Sequence, residues 1–214
     1  MQNEVNKKYV NKLFLLLKDE YPEVSSALNY QTPFQLLVST ILSAQCTDER
    51  VNIVTEKLFK NYNTPVDFVS ISIDEFEKFI YSTGFYKQKA KSIKKCSEML
   101  IEKYNGEVPK DLELLIKLPG VGRKTASVVA GNAFGVPAIA VDTHVIRLSN
   151  LFGFVETSDP VKIEFKLKEL IPKNNWINSS HLLATHGRNV CEARKPKCSI
   201  CVLKDICPSY KPEL

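Results

Sequence analysis

At 214 residues, the chain exceeds one small domain and is expected to form one large or two modest domains. Its composition, 44% hydrophobic and 25% charged, supports a sizeable core and excludes a disordered tail or a fibre. The 29 lysines and arginines exceed the 24 aspartates and glutamates to give a net charge of +5, which suits an anionic partner without requiring one.

Met1 to Lys8 is polar and lacks the apolar stretch and small-residue site of a secretory signal, so the expected location is intracellular. Val10, Leu13, Phe14 and Leu17 then recur at helical spacing. The apolar run Leu13 to Leu17 is far short of the roughly 20 residues of a membrane span, and no membrane association is expected. Thr32, Pro33 and Gln35 form a capping-box pattern ahead of Phe34, Leu37, Val38, Ile41 and Leu42. Further helices are expected over Thr47 to Asn61, Asp74 to Tyr81, Lys87 to Tyr104, Asp111 to Leu118, Lys124 to Ala133, Thr143 to Phe152, from Asp159-Pro160 onward, and over Asn178 to Val190. Breaks fall at Gly84, Asn105-Gly106, Pro119-Gly120, Gly135 to Pro137 and Gly153. Only Ala138 to Val141 looks like a strand, and four residues cannot build a sheet. The fold class is all-α, with no solenoid repeat and a plausible boundary at Gly135 to Pro137.

Between two helical patterns lies Leu118-Pro-Gly-Val-Gly-Arg-Lys-Thr-Ala126. Gly120 and Gly122 permit positive φ and keep any Cβ away from a ligand, while Val121 packs the turn onto its helices. The N–H groups opening the second helix offer a site for one anion, such as a phosphate. A bare Gly-x-Gly can also be a tight connection that binds nothing. Arg123 and Lys124 argue otherwise, because two cations facing the positive end of a helix dipole oppose stability. Neighbouring positive charge favours the free form of an amine, making Lys124 a candidate nucleophile of the Schiff-base kind. Contact with backbone phosphates alone would also explain both residues.

The six cysteines are unevenly spread. Cys46 and Cys96 read as ordinary thiols, buried or partly buried. Cys191, Cys198, Cys201 and Cys207 follow a Cys-x6-Cys-x2-Cys-x5-Cys pattern that could ligate zinc or a [4Fe-4S] cluster. A single Cys-x2-Cys pair flanked by outlying cysteines leans toward iron and sulfur. Arg194, Lys195, Lys197 and Lys204 among them are either a solvated basic loop or a phosphate-binding surface. Asp142, between an apolar run and a helix, reads as an N-cap. His144, His181 and His186 read as structural histidines.

Leu118 to Ala126 resembles the helix-hairpin-helix of the endonuclease III family of DNA glycosylases. The resemblance extends through Val141-Asp142-Thr143-His144-Val145, the terminal cysteines and Leu42-Ser43-Ala44-Gln45-Cys46-Thr47-Asp48, although members more often have a small residue where Cys46 stands. It covers essentially the whole chain.

The resemblance implies two helical domains: a six-helix domain over residues 26–136 with the hairpin, and a [4Fe-4S] domain built from residues 1–25 and 137–214, with a DNA-binding groove between them. It implies Lys124 and Asp142 as catalytic and Cys191, Cys198, Cys201 and Cys207 as cluster ligands. DNA-binding residues are Gln45, Phe85, Gly120, Val121, Gly122, Arg123, Arg194, Lys195 and Lys197. From the residues alone Gln45 could be an exposed amide at a helix end and Phe85 a core residue; by the resemblance Gln45 fills the space left by the extruded nucleotide, and Phe85 stands where the family often has a leucine wedge. Tyr62, Tyr81 and Trp176 read instead as packing residues.

The implied partner is double-stranded DNA bearing damaged pyrimidines or abasic sites, bound by a monomer in the cytoplasm and nucleoid. The implied activity is bifunctional: excision of an oxidised, flipped-out pyrimidine, then β-elimination 3′ to the abasic site. An adenine-specific mismatch glycosylase shares the hairpin, aspartate and cysteine loop. Lys124, and a chain ending seven residues after Cys207, speak against it. A non-catalytic DNA-binding module would not need both Lys124 and Asp142.

Overall fold

Side-chain caps start most of the helices, and their positions explain the element boundaries. The computed structural model describes residues 7–211; the N-terminal expectation for Met1 to Asn6 lies outside them. Eleven α-helices occur among the described residues, and no strand does: α1 (Lys7–Glu20), α2 (Pro33–Leu42), α3 (Asp48–Leu58), α4 (Pro65–Ser70), α5 (Ile73–Ile80), α6 (Tyr86–Tyr104), α7 (Leu112–Ile116), α8 (Arg123–Phe134), α9 (Thr143–Leu151), α10 (Pro160–Leu170) and α11 (Trp176–Asn189). The fold is all-α.

Thr47, Ser72, Asp111, Asp142 and Asp159 each accept a hydrogen bond from a backbone N–H two or three residues ahead, satisfying donors that a helix start leaves orphaned. Thr32 caps α2 by accepting from the Gln35 N–H at 3.2 Å. The return bond falls one residue earlier than expected, because Gln35 Oε1 accepts from the Gln31 N–H at 2.7 Å. The complete reciprocal box occurs instead at Thr64 and Asp67, opening α4. That helix is an addition to the sequence reading: six residues are too few to display a 3.6-residue period. It makes seven α-helices between residues 26 and 136 where six were expected. Ala138 to Val141 has no strand partner and runs as an extended segment whose Ala140 N–H donates to Ser180 Oγ at 3.0 Å.

The chain divides into two compact units, one being Ser26–Val136 and the other the residues on either side of it. In the first, α6 is a central element: Ala90, Ile93, Cys96 and Leu100 are buried with Phe68, Phe76 and residues of α2 and α8. Phe68 meets Phe34 and Phe76 edge-on at centroid separations of 5.3 and 5.2 Å, a favoured geometry for ring quadrupoles. Lys94 reaches from α6 to donate to the carbonyls of Phe68, Val69 and Ile71, tying off the end of α4. Tyr62 packs on Phe68 and Phe79 as expected. Tyr81 does not: it is 66% exposed and leans on Tyr86, because it sits on a surface turn between helices.

The second unit packs Val10, Leu13 and Leu17 of α1 with Val145 and Leu148 of α9, Ile163 and Leu167 of α10, and Leu182 and Leu183 of α11. Trp176 belongs to this packing and donates Nε1–H to the Ile171 carbonyl at 2.9 Å. Cys96 is buried and Cys46 partly buried.

Candidate active site and cysteine loop

The turn between α7 and α8 is shaped by two glycines for different reasons. Gly120 has φ +80°, and a Cβ there would lie 2.8 Å from Ser92 Cβ, so α6 and the turn approach only because the side chain is missing. Gly122 has nothing within 4 Å of a would-be Cβ; it opens α8 with no side-chain cap. The first N–H groups of α8 are therefore not covered by a capping side chain. Val121 is buried, 6% exposed, and its N–H returns to the Leu118 carbonyl at 3.1 Å. Its side chain locks the turn onto the core, so any contact it makes with a ligand is through its backbone. Arg123 is half-buried and Lys124 exposed in the first turn of α8.

Gln45 and Phe85 occupy two other turns of the same unit. Both have left-handed backbone, φ 53° and 47°, and both are exposed, Phe85 by 67%. Exposure removes the core-packing alternative for Phe85. Left-handed φ is costly for residues with a Cβ and is retained where surrounding structure holds it.

In the other unit, Asp142 is the N-cap of α9: its Oδ1 accepts from the Val145 N–H at 2.8 Å. His144 lies against Gly187 of α11, where a Cβ would come within 2.8 Å of His144 Nδ1. Burial, with Arg188 and Arg147 adding to it against Asp142, holds His144 below the ordinary imidazole range. Buried His186 accepts or donates between Tyr21 and Cys201, and burial lowers its pKa to about 4. His181 is also held low, chiefly by burial.

Cys191, Cys198, Cys201 and Cys207 line one cavity of about 380 Å³. Four soft thiolate donors lining one cavity fit an iron–sulfur cluster. Burial raises the pKa of Cys191, Cys201 and Cys207, and the charge of neighbouring cysteines adds to this; positively charged iron would offset both effects. Arg147 supports the loop from α9, donating to the Cys191 carbonyl at 2.6 Å and the Gly187 carbonyl at 3.2 Å. Sequence reasoning missed it, since these two carbonyls lie 40 and 44 positions away.

Of the loop cations, Arg194 and Lys195 are exposed. Arg194 borders an open depression with Thr143, His144 and Arg188 at the start of α9. Lys197 is already engaged, pairing with Glu192 at 2.8 Å and donating to the Asn189 carbonyl at 3.0 Å. Lys89, also unremarked in the sequence, is buried in the first turn of α6.

Residues 38–173 match the family model described as HhH-GPD superfamily base excision DNA repair protein. Residues 191–207 match the iron-sulfur binding domain of endonuclease III. Endonuclease III of Synechocystis sp. is 49% identical over 95% of this chain and 93% of its own length. Endonuclease III of Escherichia coli K12 is 41% identical over 97% of this chain and 98% of its own. A solved trapped endonuclease III–DNA covalent intermediate superposes with a TM-score of 0.93 at 44% identity, covering 97% of this chain and 98% of that one.

Proposed function

Because this chain belongs to the endonuclease III family within the HhH-GPD superfamily of base excision DNA repair proteins, we infer how its residues divide the work. It is a DNA glycosylase and abasic-site lyase that acts on DNA and carries a [4Fe-4S] cluster. The substrates we propose are oxidised pyrimidines and abasic sites in duplex DNA, met by a monomer at the nucleoid. The observation that carries the catalytic reading is the exposed Lys124 in an α8 start that no side chain caps.

The uncapped N–H groups of α8, at the Gly120-Val121-Gly122 turn and Arg123, hold a backbone phosphate. Arg194 and Lys195 of the cysteine loop hold backbone phosphate by charge; Lys197 contributes after leaving Glu192. Gln45 and Phe85 enter the duplex as the damaged nucleotide is extruded. Lys124 Nζ attacks C1′, and the C1′–base bond breaks with its electron pair leaving on the base, which takes up a proton. The aminal so formed loses a proton from nitrogen, and its C1′–O4′ bond breaks as O4′ takes up a proton, so that the ring opens and an iminium links Lys124 to the sugar. Loss of a C2′ proton then expels the 3′ phosphate as the C3′–O bond breaks. Asp142 places a carboxylate to stabilise the positive sugar and to orient or deprotonate the amine, while its Oδ1 keeps capping α9.

Cys191, Cys198, Cys201 and Cys207 would hold the cluster, whose iron–thiolate bonds clamp residues 191–207 into one rigid loop. Borohydride reduction with abasic-site DNA tests the nucleophile. A covalent adduct is expected for the native chain and none for Lys124→Ala; strand cleavage that survives Lys124→Ala unchanged would remove Lys124 from the role.

A further inference from the structure

Lys89 is 5% exposed, and its ammonium donates to two backbone carbonyls, Leu42 and Thr83, each at 2.8 Å. Burying a cationic side chain is costly unless it is paired or hydrogen-bonded. Here the compensation comes from carbonyls of two separate turns. Leu42 is the last residue of α2, so its carbonyl is one that a helix end leaves without a partner, at the negative end of the dipole. Thr83 closes the 3-10 turn Tyr81–Thr83. Gln45 lies three residues beyond Leu42, and Phe85 two beyond Thr83.

Only three non-glycine residues among those described have positive φ: Gln45, Phe85 and Asn105. Asn105 is the C-cap of α6, a place where asparagine adopts this conformation readily. The other two are the exposed tips that follow the carbonyls gripped by Lys89. A left-handed residue with a Cβ is costly and persists where neighbouring structure over-determines it.

We propose that Lys89 is a positioning residue: one buried ammonium, bonded to Leu42 O and Thr83 O, sets the spacing of the Gln45 and Phe85 tips so that both can enter the duplex together. This rests on the reading of Gln45 and Phe85 as the residues that enter DNA. Lys89 touches no substrate. It holds the two backbones in register, so that nucleotide extrusion meets a gap-filler and a wedge already at their working separation, as preorganisation requires.

The test is a mutant cycle read on two substrates: borohydride-trapped adduct on an abasic duplex, and on the same abasic strand alone, where no stack must be held open. The variants are Lys89→Met, which keeps the apolar stem, the pair Gln45→Ala with Phe85→Ala, and all three together. Lys89→Met is expected to slow adduct formation on the duplex by about tenfold, as a small misplacement does, and to leave the single strand within about twofold. The triple variant is expected to be no slower on the duplex than the tip pair, since residues that act through one another are not additive. Loss on the two substrates alike would mark Lys89 as a stability residue only and overturn the proposal.

A normal duplex rate for folded Lys89→Met, with the tip pair impaired, would overturn it while leaving the reading of the tips intact. A tip pair with native duplex activity would sink that reading, and the proposal with it. Should Lys89→Met not fold, Lys89→Arg, which keeps charge and donors on a longer fork, enters the same cycle: an effect that persists in the tip-pair background overturns the proposal, and one that vanishes there supports it.

Discussion

Gly120→Ala should separate the two roles of the hairpin glycines. The alanine would have to adopt φ near +80°, which costs roughly 1–2 kcal/mol for a residue with a Cβ. Its methyl would also lie 2.8 Å from Ser92 Cβ and 3.3 Å from Ser92 Oγ. Both atoms are at or near the backbone of α6, so relief requires the turn or the helix to move, at about 1–3 kcal/mol for an overpacked contact. The sum is about 2–5 kcal/mol, and at roughly 2–4 °C per kcal/mol for a chain of this length the expected fall in Tm is about 4–20 °C.

Adding Ser92→Gly removes the clash but not the strained φ, so it should return only part of the loss. Gly122→Ala, with nothing within 4 Å of its Cβ and φ −88°, should change Tm little, and any loss of DNA affinity there reports a methyl between the ligand and the backbone. Thermal melts of the four proteins decide the matter. Gly120→Ala melting within a degree of native, or complete rescue by Ser92→Gly, would refute the reasoning.

Asp142→Asn should fold normally, because asparagine caps as well as aspartate, yet slow base excision by roughly 100-fold or more with little loss of DNA affinity; normal turnover with a large fall in affinity would confine Asp142 to capping. The purified protein should be brown, with broad visible absorption that acid bleaches and that Cys198→Ser reduces; a colourless protein with stoichiometric zinc would refute the cluster ligation. His144 and His181 are held below the usual imidazole pKa, mainly by burial. The unfolded chain therefore binds protons that the folded chain refuses, and stability present above the ordinary histidine range should decline as the pH falls through it. Urea melts at pH 7 and pH 5 check this, and His181→Gln should flatten the difference; an equal slope in that variant would exclude His181 as a contributor.

The sequence by itself determined whatever depends on neighbours along the chain. Helix spacing, the caps at Thr32, Asp142 and Asp159, and the break at Pro119-Gly120 were readable because they act within a turn or two. The cysteine cluster was readable for the same reason: its members lie within 17 positions. The short α4 escaped, being shorter than the period used to find helices.

Tertiary structure decided what depends on residues meeting across the chain. Gly120 looked like a ligand-facing glycine, yet its missing side chain is set by Ser92. Phe85 could not be assigned to core or surface until its exposure was known. Lys89 did leave a trace in the sequence, standing one turn before Ile93 on the buried face of α6, where a charge is out of place. Its meaning came only when folding brought the Leu42 and Thr83 carbonyls to the same nitrogen. A lone buried charge is unfavourable in any local pattern, and only distant partners can make it stable.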